Sequence, residues 1–321
     1  MDACPNSRYA AACFEPARMA TKIEFQQNKI MARLERRLAV NVEGDFYVDD
    51  SCIDCDACRQ IAPSTFRDHG GQSSVYEQPG SAPALRRAFM ALVACPTASI
   101  GTRSRLSARE GVEAFPEHIA SSVYFCGFTS ESSFGAWSYL IVRAASDGGN
   151  ILVDSPRFTG PLVKQIERMG GIDQIFLTHR DDIADHAKFA AHFGSPRIMH
   201  EADGAERLQI EHVTAGEQPV VLGPDLLCLP TPGHTKGHQV LLYRDQILFT
   251  GDHLAWSPER ETLIAFRDAC WYSWRRQIES MARLLAYRFE WVLPGHGRLH
   301  HGPAAEMRAH LASCVEWMQH C

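Results

Sequence analysis

Apolar and polar positions divide the chain into two regimes. From Val40 to Thr102 short apolar runs alternate with turn-rich stretches. NVEGDFYVDD reads as a short strand with turn residues, and GGQSSVYEQPGSAP as a loop with a strand at Ser74–Tyr76. Ala84–Ala94 reads as a helix leading into Cys95-Pro96. Beyond Glu117 the pattern predicts strands at Ser122–Phe125, Ser138–Val142, Asn150–Asp154, Gln174–Thr178, Val240–Tyr243 and Gln246–Thr250, with helices at Pro161–Met169 and His186–Phe193 between some of them. The resulting division is a polar arm over 1–38, a small domain over 39–104, a charged linker over 105–117 and an α/β domain over 118–321. The arm (IEFQQNKIMARLERRL and what precedes it) carries no recognisable chemistry and reads as a solvated extension. No repeat of fixed period and no low-complexity tract is present.

Composition narrows the function classes. At 321 residues with 45% hydrophobic and 22% charged residues, the chain has ample apolar material for a core. The net charge is −6; residues 1–104 hold 12 basic and 12 acidic groups and the remainder 20 and 26, so neither part is basic and a nucleic-acid partner has no support. No apolar run reaches the roughly 18 residues a membrane span needs. The first residues mix charges without an apolar core, so a secretory signal is not expected. The 11 cysteines are odd in number and clustered, which suits metal ligation in a reducing compartment: the cytoplasm, or the chloroplast stroma for a photosynthetic eukaryotic source.

Cys52, Cys55 and Cys58 have two residues between successive thiols, and 36 residues separate Cys58 from Cys95-Pro96. A tight loop of this spacing wraps three corners of an iron–sulfur cube while the remote cysteine supplies the fourth thiolate. A zinc site uses the same sulfurs, but normally as paired CxxC knuckles. Residues 46–101 resemble a bacterial-type ferredoxin with a single [4Fe–4S] cluster, through FYVDDSCIDCDAC and CPTASI. Two-cluster members of that family carry another cysteine before the first proline, where this chain has Ala62-Pro63, so the resemblance implies one cluster.

A second set of signals spans more than a hundred residues. IFLTHRDDIADH places His179 after an apolar run, followed by Asp181, Asp182, Asp185 and His186; TPGHTKGH supplies His234, LFTGDH supplies Asp252 and VLPGHG supplies His296. Each follows a short apolar run, so each projects from a strand end or loop at a sheet rim, and imidazole with carboxylate suits zinc, iron or manganese. Singly, each has a plainer reading: a histidine satisfied in the core, or an aspartate capping a helix. In this order they resemble the metallo-β-lactamase fold, shared by glyoxalase II-like hydrolases and oxidoreductases. YLIVRAASDGGNILVDSP resembles that family's early hairpin ending in an aspartate, here Asp154. The resemblance implies an α+β chain, a small ferredoxin-like domain followed by an αββα sandwich with metals at one edge.

The family's metal motif, T-H-x-H-x-D-H, is altered. Asp181 stands where its second histidine belongs, and two extra residues precede Asp185-His186. With that pair aligned to the helix start, the resemblance implies a first site of His179, Asp181, His234 and Asp252, with Asp182 competing for the place of Asp181. It implies a second site of Asp185, His186, Asp252 and His296, with Asp185 handling the nucleophile's proton as the catalytic group. One or two zinc or iron ions are expected.

Three function classes follow. The first is a hydrolase of small thioesters, lactones or related esters. The second is a mono- or di-iron oxidoreductase fed by the ferredoxin domain or an electron-transfer partner, and the third a cluster-bearing sensor. The Trp-, Tyr- and Arg-rich stretch after Asp252 reads equally as a flap over the metals or a plain surface loop. His200 reads as structural, Cys228 and Cys270 as small buried residues; His238, His300 and His301 carry no assignment.

Overall fold

The computed structural model describes residues 31–321. Most of the expected arm, residues 1–30, lies outside the described residues. Its last part, with no buried side chain, is tied to the small domain at two points: Tyr47 donates its hydroxyl to the Ala32 carbonyl at 2.7 Å, and the Leu38 amide donates to Val48 at 2.9 Å.

In the small domain strand Phe46–Val48 pairs antiparallel with Ile100–Thr102, which brings the cysteine loop beside the end of helix Ala82–Ala94. That helix starts where Ser81 accepts the Ala84 amide and Pro83 fits the first turn. It buries Ala88, Phe89, Ala91 and Val93, with Phe89 edge-on to Phe46 at 5.3 Å. The expected linker is packed too. It contains helix Arg109–Glu113, whose Gly111 comes so close that a Cβ there would sit 2.5 Å from the Phe89 backbone. Phe115 is fully buried beside Phe125 and Phe128.

Residues 117–301 build two sheets. The first has seven strands in the order His212–Thr214, Arg197–His200, Gln174–Phe176, Ile151–Val153, Tyr139–Ile141, Val123–Phe125 and Glu117–Ala120. The second has six: Val220–Gly223, Leu226–Pro230, Gln239–Tyr243, Ile247–Gly251, Trp291–Pro294 and His300–His301. Alternation along the second sheet separates two cores. Cys228, Leu241, Tyr243, Ile247, Phe249 and Leu293 join the first sheet's core, whereas Leu229, Val240, Leu242, Leu248 and Val292 meet helices Trp274–Leu284 and Ala304–His320. Helices Gly160–Arg168 and His186–Phe193 bury Leu162, Val163, Ile166 and Phe189 in the first core. The result is the expected αββα sandwich behind a small cysteine domain. Among the described residues no helix is long and apolar enough to cross a membrane.

The topology creates one functional rim. Strands Ile151–Val153 and Gln174–Phe176 are parallel, as are Ile247–Gly251 and Trp291–Pro294. Strand Leu226–Pro230 runs the same way as Ile247–Gly251, because both are antiparallel to Gln239–Tyr243. The residues just past these strands (Asp154, His179, Asp252, His296 and His234) therefore leave at equivalent ends.

Candidate metal centre and cysteine pocket

Two sets of ligand atoms close up at this rim. Nitrogen or oxygen atoms of His179, His234 and Asp252 lie within 4.8 Å of one another, and so do those of Asp182, Asp252 and His296. Asp252 Oδ2 is 3.7 Å from His179 Nε2, 3.7 Å from His234 Nε2 and 3.9 Å from His296 Nε2. Asp181 Oδ2 joins the first set, 3.3 Å from His234 Nε2 and 3.9 Å from His179 Nε2; Asp182 Oδ1 is 3.8 Å from His296 Nε2. Apart from the Asp181–His234 contact, these separations are too long for hydrogen bonds. They are near the edge of a tetrahedron of ligands about 2.1 Å from a shared ion, about 3.4 Å.

Buried atoms of these residues lack hydrogen-bond partners: His179 Nε2, Asp182 Oδ2 and Asp252 Oδ1 make none. Native structures rarely tolerate such orphans, and a cation satisfies them together. The outer groups set the orientation. Asp154 accepts the Thr178 amide at 2.8 Å and its hydroxyl at 2.9 Å, and the Thr178 oxygen is 2.9 Å from His179 Nδ1. With the Thr178 proton given to Asp154, the network assigns the imidazole proton to Nδ1 and leaves the Nε2 lone pair facing the centre. Burial, then the neighbouring His234, holds His179 well below its ordinary value, so it is neutral as a ligand must be. Burial and then Asp252 push Asp182 well above the usual carboxylate range, the mark of crowded acids waiting for a counter-charge.

The glycines of TGDH and PGHG have a steric reason. A Cβ on Gly295 would lie 2.5 Å from Asp182 Oδ2 and 3.0 Å from Asp252 Oδ1; one on Gly251, which has φ +48°, would lie 2.7 Å from Thr178 Oγ1. The His234 loop is held from behind by helix Trp274–Leu284, where Ser280 donates to the Pro232 carbonyl at 2.7 Å, and by Asp203, which accepts from Thr235 and Gly237.

The second set brings together Asp182, Asp252 and His296 rather than the expected Asp185 and His186. Asp185 and His186 do not enter it. Asp185 accepts the Phe158 amide at 2.8 Å and pairs with Lys188 at 2.8 Å, as a helix-start residue does. His186 Nδ1 faces Arg197 at 3.5 Å, and burial followed by that guanidinium lowers its pKa to about 4. The two extra residues lengthen the loop before the helix, so Asp182, adjacent to Asp181, reaches the place where the Asp-His pair was expected.

Other residues resolve simply. His200 bonds Gly216 and Ala202 locally, while His300 and His301 stack on Trp256 and Trp291. His238 and His253 form a fully buried pair behind His179, with ring centroids 4.0 Å apart. Cys228 is buried; Cys270 is half-buried, its Sγ 3.2 Å from the Gly233 carbonyl. The aromatic stretch after Asp252 is neither a plain loop nor wholly over the candidate centre. Ala255–Ser257 and Thr262–Ile264 make a hairpin, and the Trp271 and Tyr272 amides donate to the His234 carbonyl with the Trp271 ring 6.2 Å from His234.

Cys52, Cys55, Cys58 and Cys95 converge in a second cavity, with Val48, Ile53, Ser73, Thr97 and Ser99 in its walls. Ser73 and Ser99 donate their amides to the sulfurs of Cys52 and Cys95 at 3.4 and 3.3 Å. Among the described residues, no three of these sulfurs lie within 4.8 Å of one another. Burial pushes Cys58 up to about 12 and Cys55 well above the ordinary thiol, the neighbouring thiols adding to it. Four thiolates gathered here need a cationic group among them.

Residues 48–102 match the family model described as the 4Fe-4S single cluster domain of Ferredoxin I. The chain is similar to the hydroxyacylglutathione hydrolase of Acidiphilium cryptum, 33% identical over 114 residues, or 34% of this chain and 46% of that protein. It is similar also to that of Xanthomonas oryzae, 32% identical over 120 residues, covering 36% and 46%. It thus spans about half the length of the curated relatives it matches. Among solved structures it is similar to the B3 metallo-β-lactamase BLEG-1, with 19% identity, 56% of this chain and 93% of that one covered, and a TM-score of 0.44. For ETHE1 from Myxococcus xanthus the values are 19%, 61%, 89% and 0.43.

Proposed function

We propose that this chain is a metal-dependent hydrolase of a small ester-type substrate, a thioester foremost, with one [4Fe–4S] cluster in its cysteine domain. Asp252 carries the reading: one carboxylate oxygen faces three imidazole nitrogens at 3.7–3.9 Å, the placement of a group that bridges two ions. His179, Asp181, His234 and Asp252 would hold one ion; Asp182, Asp252 and His296 would hold a second, as zinc or iron. When loaded, the centre supplies a water acidified towards a pKa of about 7 and a Lewis acid for the substrate carbonyl.

The chain's own groups do the rest. Asp182, not Asp185, is the carboxylate placed to orient the attacking water and take its proton, since its buried Oδ2 has no other partner. Asp181, whose side chain is 42% exposed, closes the first set on the solvent side. Two exposed rings flank the centre, Trp271 beside His234 and Phe134 beside His296, and offer apolar walls to an acyl chain. The thioester preference rests on the similarity to hydroxyacylglutathione hydrolases. A reducing compartment suits thiols reserved for iron.

The test is hydrolysis of acyl-glutathione thioesters, lactones and phosphoesters by metal-loaded protein beside its Asp252→Asn variant. Thioester turnover that vanishes with Asp252→Asn is expected. A fully loaded protein that cleaves no ester would refute the hydrolase and leave iron-dependent redox chemistry. One observation favours that second reading: a cysteine of the pocket lies against the segment that touches His296.

A further inference from the structure

That segment is Phe134-Gly135. A Cβ built on Gly135 would sit 2.6 Å from Cys55 Cβ and 2.9 Å from Cys55 Sγ, so the Gly135 backbone touches a cysteine of the pocket and leaves no room for a side chain. Its φ of +84° suits glycine alone. The preceding Phe134 is also left-handed, at φ +48°, which a bulky residue rarely adopts unless its surroundings impose it. Its ring centroid lies 6.1 Å from that of His296. The turn is fixed by the Gly135 amide on the Ser130 carbonyl and the Trp137 amide on the Gly295 carbonyl, each at 2.8 Å. One residue contact, one peptide unit and one ring-to-ring step therefore connect Cys55 to His296.

The two domains are locked on both sides of this path. Arg298, two residues past His296, pairs at 3.4 Å with Asp56 inside the cysteine loop. Thr129 donates to the Ala94 carbonyl at 2.7 Å, and Arg157 to the Val93 and Cys95 carbonyls at 2.9 and 3.3 Å. A tethered carrier that swings out to meet partners would share few contacts with the body of the protein. Here hydrogen bonds hold the cysteine loop in one position against the metal rim.

We propose that Phe134 and Gly135 form the path for one electron from the cluster to iron held at the His/Asp centre, so that the cluster sets the oxidation state of that iron. The proposal rests on the loading of both sites put forward above. The reduced cluster gives up one electron and returns from its 1+ to its 2+ state; ferric iron at the His/Asp centre takes it and becomes ferrous. A low-potential one-electron donor outside the chain then reduces the cluster again.

Two measurements on the full chain test this. In the first, manganese(II) fills the His/Asp centre and the EPR signal of the dithionite-reduced cluster is recorded. Faster relaxation than in manganese-free protein is expected in both wild type and Phe134→Ala, because removing the ring leaves the spacing intact. In the second, protein with ferric iron at the centre is mixed with dithionite-reduced methyl viologen, and cluster bleaching and loss of the ferric signal are timed separately. Phe134→Ala should slow the second event by an order of magnitude or more without changing the first, and Phe134→Tyr should restore it. Unchanged relaxation would show that the centres are not neighbours, and equal rates in Phe134→Ala would remove the ring from the path; either overturns the proposal. Protein lacking labile sulfide, or lacking metal at the His/Asp residues, would instead overturn the proposed function, and this inference with it.

Discussion

Gly295→Ala is the smallest change that separates the centre from the scaffold. Gly295 has no positive φ, so alanine brings no backbone strain, and its amide can keep the 2.9 Å bond to the Gly251 carbonyl. The added methyl is the whole perturbation. It would stand 2.5 Å from Asp182 Oδ2 and 3.0 Å from Asp252 Oδ1, where ordinary contacts begin near 3.4 Å. Relief requires Asp182 to retreat by about 0.9 Å, and overpacking of this size costs about 1–3 kcal/mol. Because the moving groups are the two carboxylates proposed as ligands, that penalty falls on metal binding, giving about 10- to 100-fold weaker affinity at the second site. The assay is metal titration of stripped protein by calorimetry, with far-ultraviolet circular dichroism and cluster absorbance as controls. Wild-type affinity in a folded Gly295→Ala variant would refute the claim that Asp182 and Asp252 close around an ion.

Other predictions use the same separation of parts. Cys55→Ala should abolish cluster absorbance and labile sulfide while the His/Asp centre still binds metal, measured by elemental analysis. Asp185→Ala should leave metal content unchanged and lower stability by about 1–2 kcal/mol in urea titration, since it removes only the Phe158 bond and the Lys188 pair. Asp182→Asn should deplete the second ion while leaving the first, measured by metal analysis. His186 has a folded pKa of about 4 against an ordinary 6.5, so the unfolded chain binds the extra proton between those values. Its contribution to stability is complete above pH 6.5 and is lost as pH falls towards 4, by roughly 3 kcal/mol at most. His186→Gln should flatten that part of the stability profile, and an unchanged slope would contradict the buried neutral imidazole.

The sequence is most legible where chemistry and a strand end coincide in a short stretch. TPGH, TGDH and PGHG each put the candidate residue just past a strand, and the sandwich delivers those ends to one rim; CIDCDAC is legible from its cysteine spacing alone. The sequence is least legible where placement depends on a loop's path. The order Asp181, Asp182, Asp185, His186 does not reveal which carboxylate turns inward; that is decided by Asp185 being engaged at the helix start. Edge strands such as His212–Thr214 and Val220–Gly223 were missed because most of their residues are not buried and no alternation marks them. Helix Trp274–Leu284 was hidden by the polar Gln277 and Ser280 on its buried face. Helix Ala304–His320 had a readable signal: Met307, Leu311, Cys314, Val315 and Met318 form one helical stripe. Nothing in SSFGAW announces a contact with Cys55, since neither phenylalanine nor glycine there follows a motif and the neighbour is remote in the chain.

Metal and acid-labile sulfide analysis of anaerobically purified wild type beside Asp252→Asn addresses the central claim most directly. About four sulfides and four cluster irons per chain are expected in both proteins, with one or two further ions in wild type that Asp252→Asn loses. Sulfide at that level but no metal beyond the cluster, in wild type as in the variant, would contradict a metal centre at the His/Asp rim.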